Sequence, residues 1–157
     1  MKSLRTALTT ILLAAAATLH AATFTKAPKV TYFRGDFPAV RIAATNLCND
    51  WQLVTGTPAR LSVQTATPLK PGTILVGTLG CGIEGYLTPE EIDTLEGRRE
   101  MYLMKVCDER AVIAGSDRRG TVYGIYALSE KIGVSPWYWW ADAPVRQLDT
   151  ITIPDGT

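Results

Sequence analysis

Five apolar residues, Val40, Ala44, Leu47, Trp51 and Val54, recur at intervals of four, three, four and three. That spacing is satisfied by a helix of about 3.6 residues per turn that turns one face to a core. Asp36 offers an N-cap ahead of the stripe, Pro38 is tolerated in the first turn, and Gly56 supplies a stop. A helix this one-sided needs a surface to cover. Ile74-Leu75-Val76 is apolar without alternation, as in a central strand covered on both faces, whereas Leu61 and Val63 alternate with polar neighbours as in a half-buried strand.

The remaining signals follow the same alternation of periods. Val30 to Phe33 is a short β-prone run before the helix. Thr88-Pro89-Glu90-Glu91 reads as a capping box with proline at the first helical position, opening a short helix through Ile92 and Leu95 to Gly97. Met101 to Val106 and Ala111 to Ala114 flank Cys107-Asp108-Glu109-Arg110 and predict a hairpin. Val122, Ile125, Leu128 and Ile132 predict a last helix, with Ser116 or Asp117 as N-cap and Gly133 as its stop. The order strand, helix, strand, strand, helix, strand, strand, helix predicts an α/β domain, a mixed β-sheet with packed helices. Ser135 to Val145, dense in aromatics and carrying two prolines, reads as a packed connector, and Ile151 to Thr157 shows no closing element.

Length and composition fit one soluble core: 157 residues, 46% hydrophobic and 20% charged. Lys2 and Arg5, an apolar run from Ala7 to Ala17, and Leu19-His20-Ala21-Ala22 predict a signal peptide over residues 1–21, too short in its apolar part for the roughly 20 residues that span a bilayer. The predicted domain then covers 22–134, and 135–157 forms an aromatic-rich connector. Cleavage would leave 14 basic against 15 acidic residues, a balance that attracts no nucleic acid. It would also remove His20, the only histidine, and with it any Ser-His-Asp triad, Cys-His pair or histidine-ligated zinc site. Cys48, Cys81 and Cys107 are too far apart in sequence for a chelating pair and allow at most one disulfide.

Several constellations carry chemistry, each with a structural alternative. Gly80-Cys81-Gly82-Ile83-Glu84-Gly85 matches the glycine pattern of dinucleotide sites, but the next helix signal starts only at Thr88, so a surface loop and no nucleotide is the reading adopted. Ser116-Asp117-Arg118-Arg119-Gly120 lies between a strand and a helix, where N–H groups and two guanidinium groups suit an anion such as a carboxylate. Equally, Asp117 suits a cap and Gly120 close packing. Trp137-Tyr138-Trp139-Trp140 suits stacking on sugar rings or burial against a neighbouring domain, the second being the reading preferred. No catalytic pair, cofactor or metal ligand set is legible among the carboxylates.

The run from Ala114 through Val145, with Trp51-Gln52-Leu53-Val54-Thr55-Gly56 and Ile74-Leu75-Val76-Gly77-Thr78, closely resembles the family 115 glycoside hydrolases, the xylan α-1,2-glucuronidases. The resemblance implies a small N-terminal α/β domain, similar to those preceding hexosaminidase- and glucuronidase-type barrels. It implies an inverting enzyme that removes glucuronic acid, or its 4-O-methyl ether, from glucuronoxylan with a carboxylic acid and a base-activated water. The catalytic residues would come from the barrel, and the chain stops just after the junction, so the domain alone is expected to be an inactive fragment partnered by that barrel. A free-standing carbohydrate-binding module is the rival expectation. The residues singled out for substrate or interdomain contact are Asp117, Arg118, Arg119, Trp137, Trp139, Trp140 and Asp142.

Overall fold

The computed structural model describes residues 21–65, 68–107 and 109–154; residues 1–20, nearly all of the expected signal peptide, lie outside them. The elements in chain order are β1 (Ala21–Phe24), β2 (Lys29–Tyr32), α1 (Pro38–Thr55), β3 (Arg60–Val63), β4 (Thr73–Thr78), a 3₁₀ turn (Ile83–Tyr86), α2 (Pro89–Leu95), β5 (Tyr102–Cys107), β6 (Arg110–Gly115), α3 (Arg118–Lys131), α4 (Tyr138–Ala141) and β7 (Ile151–Pro154). A five-stranded sheet has the order β3-β2-β4-β6-β5, parallel throughout except for β5, which pairs antiparallel with β6 as the predicted hairpin. The expected mixed sheet is therefore present, and β4, buried along its whole length, is its central strand.

Two cores flank the sheet because alternate residues of a strand face opposite ways. Ile74, Val76, Ala111, Ile113 and Met104 face α1 and α3, while Leu75, Val112 and Ala114 face Ile83 of the 3₁₀ turn and Leu95 of α2. All five stripe residues of α1 are buried, and Gly56 closes the helix at φ 73°. The capping box of α2 is complete: Glu91 N–H donates to the Thr88 hydroxyl and Thr88 N–H to the Glu91 carboxylate.

Helix α3 lies very close to the strands. A Cβ on Gly120 would collide with the Met101 carbonyl, and one on Gly124 would come within 2.6 Å of Ile113 Cγ2. Glycine at these two positions lets the helix backbone press on the sheet where any side chain would hold it away. Asp117 caps α3 by accepting from Gly120 N–H at 2.8 Å.

Three sequence expectations are corrected. Asp36 is not the side-chain cap of α1. Its carboxylate instead accepts from Thr78 N–H (2.9 Å) and from the Thr78 hydroxyl (2.8 Å), and so ties the loop after β2 to the end of β4. The C-terminal segment does have a closing element, since β7 pairs antiparallel with β1 in a separate two-stranded sheet, Ala22 opposite Ile153 and Phe24 opposite Ile151. Phe24 then meets Trp51 of α1 edge to face, ring centres 5.6 Å apart. Within the aromatic connector, Tyr138–Ala141 forms one helical turn, α4. The rest of that segment runs back along the end of α1, where Leu148 N–H donates to the Val54 carbonyl and Gln147 Nε2 to the Leu53 carbonyl.

Leu47 is fully buried mid-stripe. Leu47→Ala is expected to cost ~2–5 kcal/mol through lost transfer free energy and the cavity left behind. Urea unfolding of parent and variant measures the difference, and a change within error would show that the stripe does not carry the core.

Candidate functional site

Open parallel sheets place ligands at the carboxyl ends of their strands, beside the switch in strand order, here between β2 and β4. The chain fills that crevice with its own groups. The Phe33 ring lies against Gly77 and Gly82. Asp36, Thr78 and Thr121 form a chain of hydrogen bonds, with the two threonine hydroxyls 2.8 Å apart. In the glycine loop, Gly80 N–H and Gly82 N–H both donate to the carboxylate of Glu84. A phosphate would need those donors, and the preceding strand leads into a 3₁₀ turn rather than an α-helix.

The turn at the start of α3 is likewise internally satisfied. Asp117 accepts from Gly120 N–H and from Glu100 N–H (2.9 Å), which hold its carboxyl below the usual carboxylate range. Arg119 pairs with Glu100 at 2.7 Å, donates to the Tyr123 hydroxyl at 2.6 Å, and lies 5.6 Å from the Tyr123 ring centre. Arg118 is exposed. Apart from Arg118, the anion-receiving groups thus already face carboxylates of the same chain, and the capping and packing roles account for Asp117 and Gly120. Burial pushes the Cys48 thiol up to about 11, and burial together with the Asp36 and Glu84 charges raises that of Cys81, so neither free thiol is an activated nucleophile. Among the described residues no group of three His, Cys, Asp or Glu side chains is placed to hold a metal ion.

The aromatic candidates lie elsewhere. Fourteen residues of α3, about 20 Å of helix, separate Asp117 from the far end of the helix, where the chain turns at Gly133 (φ 108°) into the segment leading to α4. Trp137 and Trp140 are 66% and 85% exposed. Tyr138 packs partly against the main core. Trp139 shares the turn, its side chain outside those described, and Asp142 ends it in the left-handed region at φ 48°, exposed. The seven candidates therefore fall into two groups that the fold does not bring together.

Sequence reasoning missed a third place. Between α1 and α3 lies a cavity of about 470 Å³, lined by Asn46, Asn49 and Asp50 on one helix, Tyr126 and Ser129 on the other, and the 134–136 segment that leads into the aromatic turn. Asn46 Nδ2 donates to the Tyr126 hydroxyl at 2.7 Å across the gap. Asp50 is only 6% exposed and pairs with no cation among the described residues, so burial pushes its carboxyl above the ordinary range, with the neighbouring Ser129 hydroxyl pulling the other way. Ser129 Oγ, itself buried, has no partner of normal hydrogen-bond geometry among the described residues. The signal for this site is Asp50 itself, a carboxylate one turn from both Leu47 and Val54 on an otherwise apolar face.

No family model matches the sequence, and no curated protein matches it. Among solved structures, a family GH115 4-O-methyl-α-glucuronidase, BtGH115A, with specificity for decorated arabinogalactans, is similar at 32% identity and a TM-score of 0.68, over 83% of this chain and 17% of that chain. CpGH84D shares the fold at 16% identity and a TM-score of 0.54, over 87% of this chain and 21% of that one. The class is thus a mixed α/β domain of the kind carried by glycoside hydrolases. More particularly, the domain is of the family 115 glycoside hydrolase type, and it spans about one sixth of the family 115 enzyme it matches.

Because Asp50 is harder to ionise in the folded state than in the unfolded one, its charge costs stability as pH rises above its unfolded value, about 4, and costs nothing below it. Asp50→Asn removes that cost. The variant should be more stable than the parent near pH 7, with the gap closing toward pH 3, as read by denaturant midpoints across the range. A gap independent of pH would show that the carboxylate is not strained by burial.

Proposed function

We propose that this domain is an exported N-terminal accessory domain of an α-glucuronidase, and that it docks on the enzyme's catalytic barrel through the aromatic turn. The observation that carries the reading is the exposure of Trp137 and Trp140 on a turn whose Tyr138 packs, partly buried, against the core. At roughly 25 cal/mol per Å² of apolar surface removed from water, two indole rings contribute several kcal/mol to a docked interface. The similarity to one sixth of a family 115 enzyme supports an accessory rather than a catalytic part. The enzyme's substrate in this reading carries terminal glucuronic acid or its 4-O-methyl ether, with glucuronoxylan as the expected polysaccharide. Decorated arabinogalactan, the substrate named for the similar enzyme, is the comparison to assay beside it.

The purified domain should release no glucuronic acid from glucuronoxylan or from aldouronic oligosaccharides. Release above a buffer control, removed by substitutions in this chain, would overturn the accessory reading. A family 115 barrel supplied in trans should bind the domain, and changing Trp137 and Trp140 together to Ala should weaken binding by about 2 kcal/mol or more, roughly thirtyfold, by calorimetry. The exposed rings also suit a carbohydrate-binding module. Saturable quenching of tryptophan fluorescence by xylo-oligosaccharides without the barrel, lost in the same double variant, would favour that second reading. Export predicts that the protein recovered outside the cytoplasm begins at Ala22, which N-terminal sequencing reads directly; an intact Met1 in that fraction would contradict it.

A further inference from the structure

The cavity between α1 and α3 is walled by two buried polar groups, Asp50 and Ser129, and the described residues leave hydrogen-bonding capacity unused at Ser129 Oγ. Asp50 forms no ion pair among the described residues and has only the Ser129 hydroxyl beside it, and Ser129 Oγ is buried without a partner of normal hydrogen-bond geometry. Burying such groups costs free energy unless something supplies the missing bonds. Both border the same opening, beside the Asn46 and Asn49 side chains and the Val134–Pro136 segment. A ligand matched to this wall brings donors to a carboxylate, both donor and acceptor to a hydroxyl, and an apolar face to valine and proline.

We propose that this cavity is a binding site for a neutral sugar, one ring or two, with vicinal hydroxyl groups donating to the Asp50 carboxylate and exchanging a hydrogen bond with Ser129 Oγ. Size supports it, since about 470 Å³ lies within the range of small-ligand pockets and exceeds what a single inserted side chain fills. Charge gives the specificity. Among the described residues no Lys or Arg lines the opening, so a uronic acid would bring its carboxylate against that of Asp50 and be rejected. The site would therefore read the neutral backbone of a polysaccharide rather than its acidic decoration. It is separate from the exposed faces of Trp137 and Trp140, and its occupation does not depend on whether the aromatic turn docks on a barrel.

Amide chemical shifts of the isotope-labelled domain, titrated with xylose, xylobiose, galactose, glucuronic acid and N-acetyl-arginine amide, test this. Saturable shifts are expected at Asn46, Asn49, Asp50 and Ser129 with at least one of the three neutral sugars and not with glucuronic acid. Ser129→Ala, which removes an unsatisfied hydroxyl and should leave the fold intact, is expected to weaken that binding about tenfold. Asp50→Asn should weaken it as well, while relaxing the exclusion of glucuronic acid. Absence of saturable shifts with every neutral sugar, preference for glucuronic acid, or shifts at these amides with the arginine derivative instead would each overturn the proposal. Shifts confined to the Trp137 and Trp140 indole signals would overturn it too, and would place sugar on the aromatic turn.

Discussion

The close approach of α3 to the sheet determines what the rest of the molecule presents. Gly120 and Gly124 bring the helix backbone against Met101 and Ile113, nearer than any side chain would permit. From that contact the consequences run both ways along the helix. At its start, Asp117, Thr121 and Thr78 are drawn into a network that closes the carboxyl ends of the strands. Toward its other end the helix lines the Asp50 cavity together with α1 and leads to the exposed aromatic turn. The region where sheets of this type take ligands is thus sealed by the protein itself, and the open chemistry is displaced to the opposite end of α3.

Much of this was legible in the sequence where short-range periodicity decides the outcome. The α1 stripe, the central strand, the α2 capping box, the β5–β6 hairpin and the Asp117 cap all follow from residues within one or two turns of each other. What escaped depends on distant partners. The strands β1 and β7, four residues each, carry almost no signal of their own and exist because they pair across nearly the whole chain. Asp36 fits a cap by composition, yet two donors from Thr78, forty-two residues away, take its carboxylate.

The site was legible only in part for the same reason. Residue types at the α3 turn suggested an anion receptor, but Glu100, seventeen residues before Asp117, supplies the carboxylate that Arg119 meets. Exposure of Trp137 and Trp140 depends on how the partly buried Tyr138 orients the turn, which composition does not encode. Asp50 was hidden inside a stripe that reads as core, and only the placement of α3 beside α1 makes it a wall of a cavity. The resemblance of the Ala114–Val145 run to family 115 enzymes, by contrast, agrees with the structural similarity at 32% identity.

The account rests on Trp137 and Trp140 being a docking surface, and the most direct measurement is their accessibility with and without a catalytic barrel. Acrylamide quenching of tryptophan fluorescence reads it, with Trp139→Phe removing the third ring of the turn from the signal and Trp51 buried as an internal reference. In the isolated domain a large quenchable fraction is expected. In a polypeptide joining the domain to a family 115 barrel, that fraction should fall as the rings leave water. Equal quenching of Trp137 and Trp140 in the two proteins would contradict the docking account.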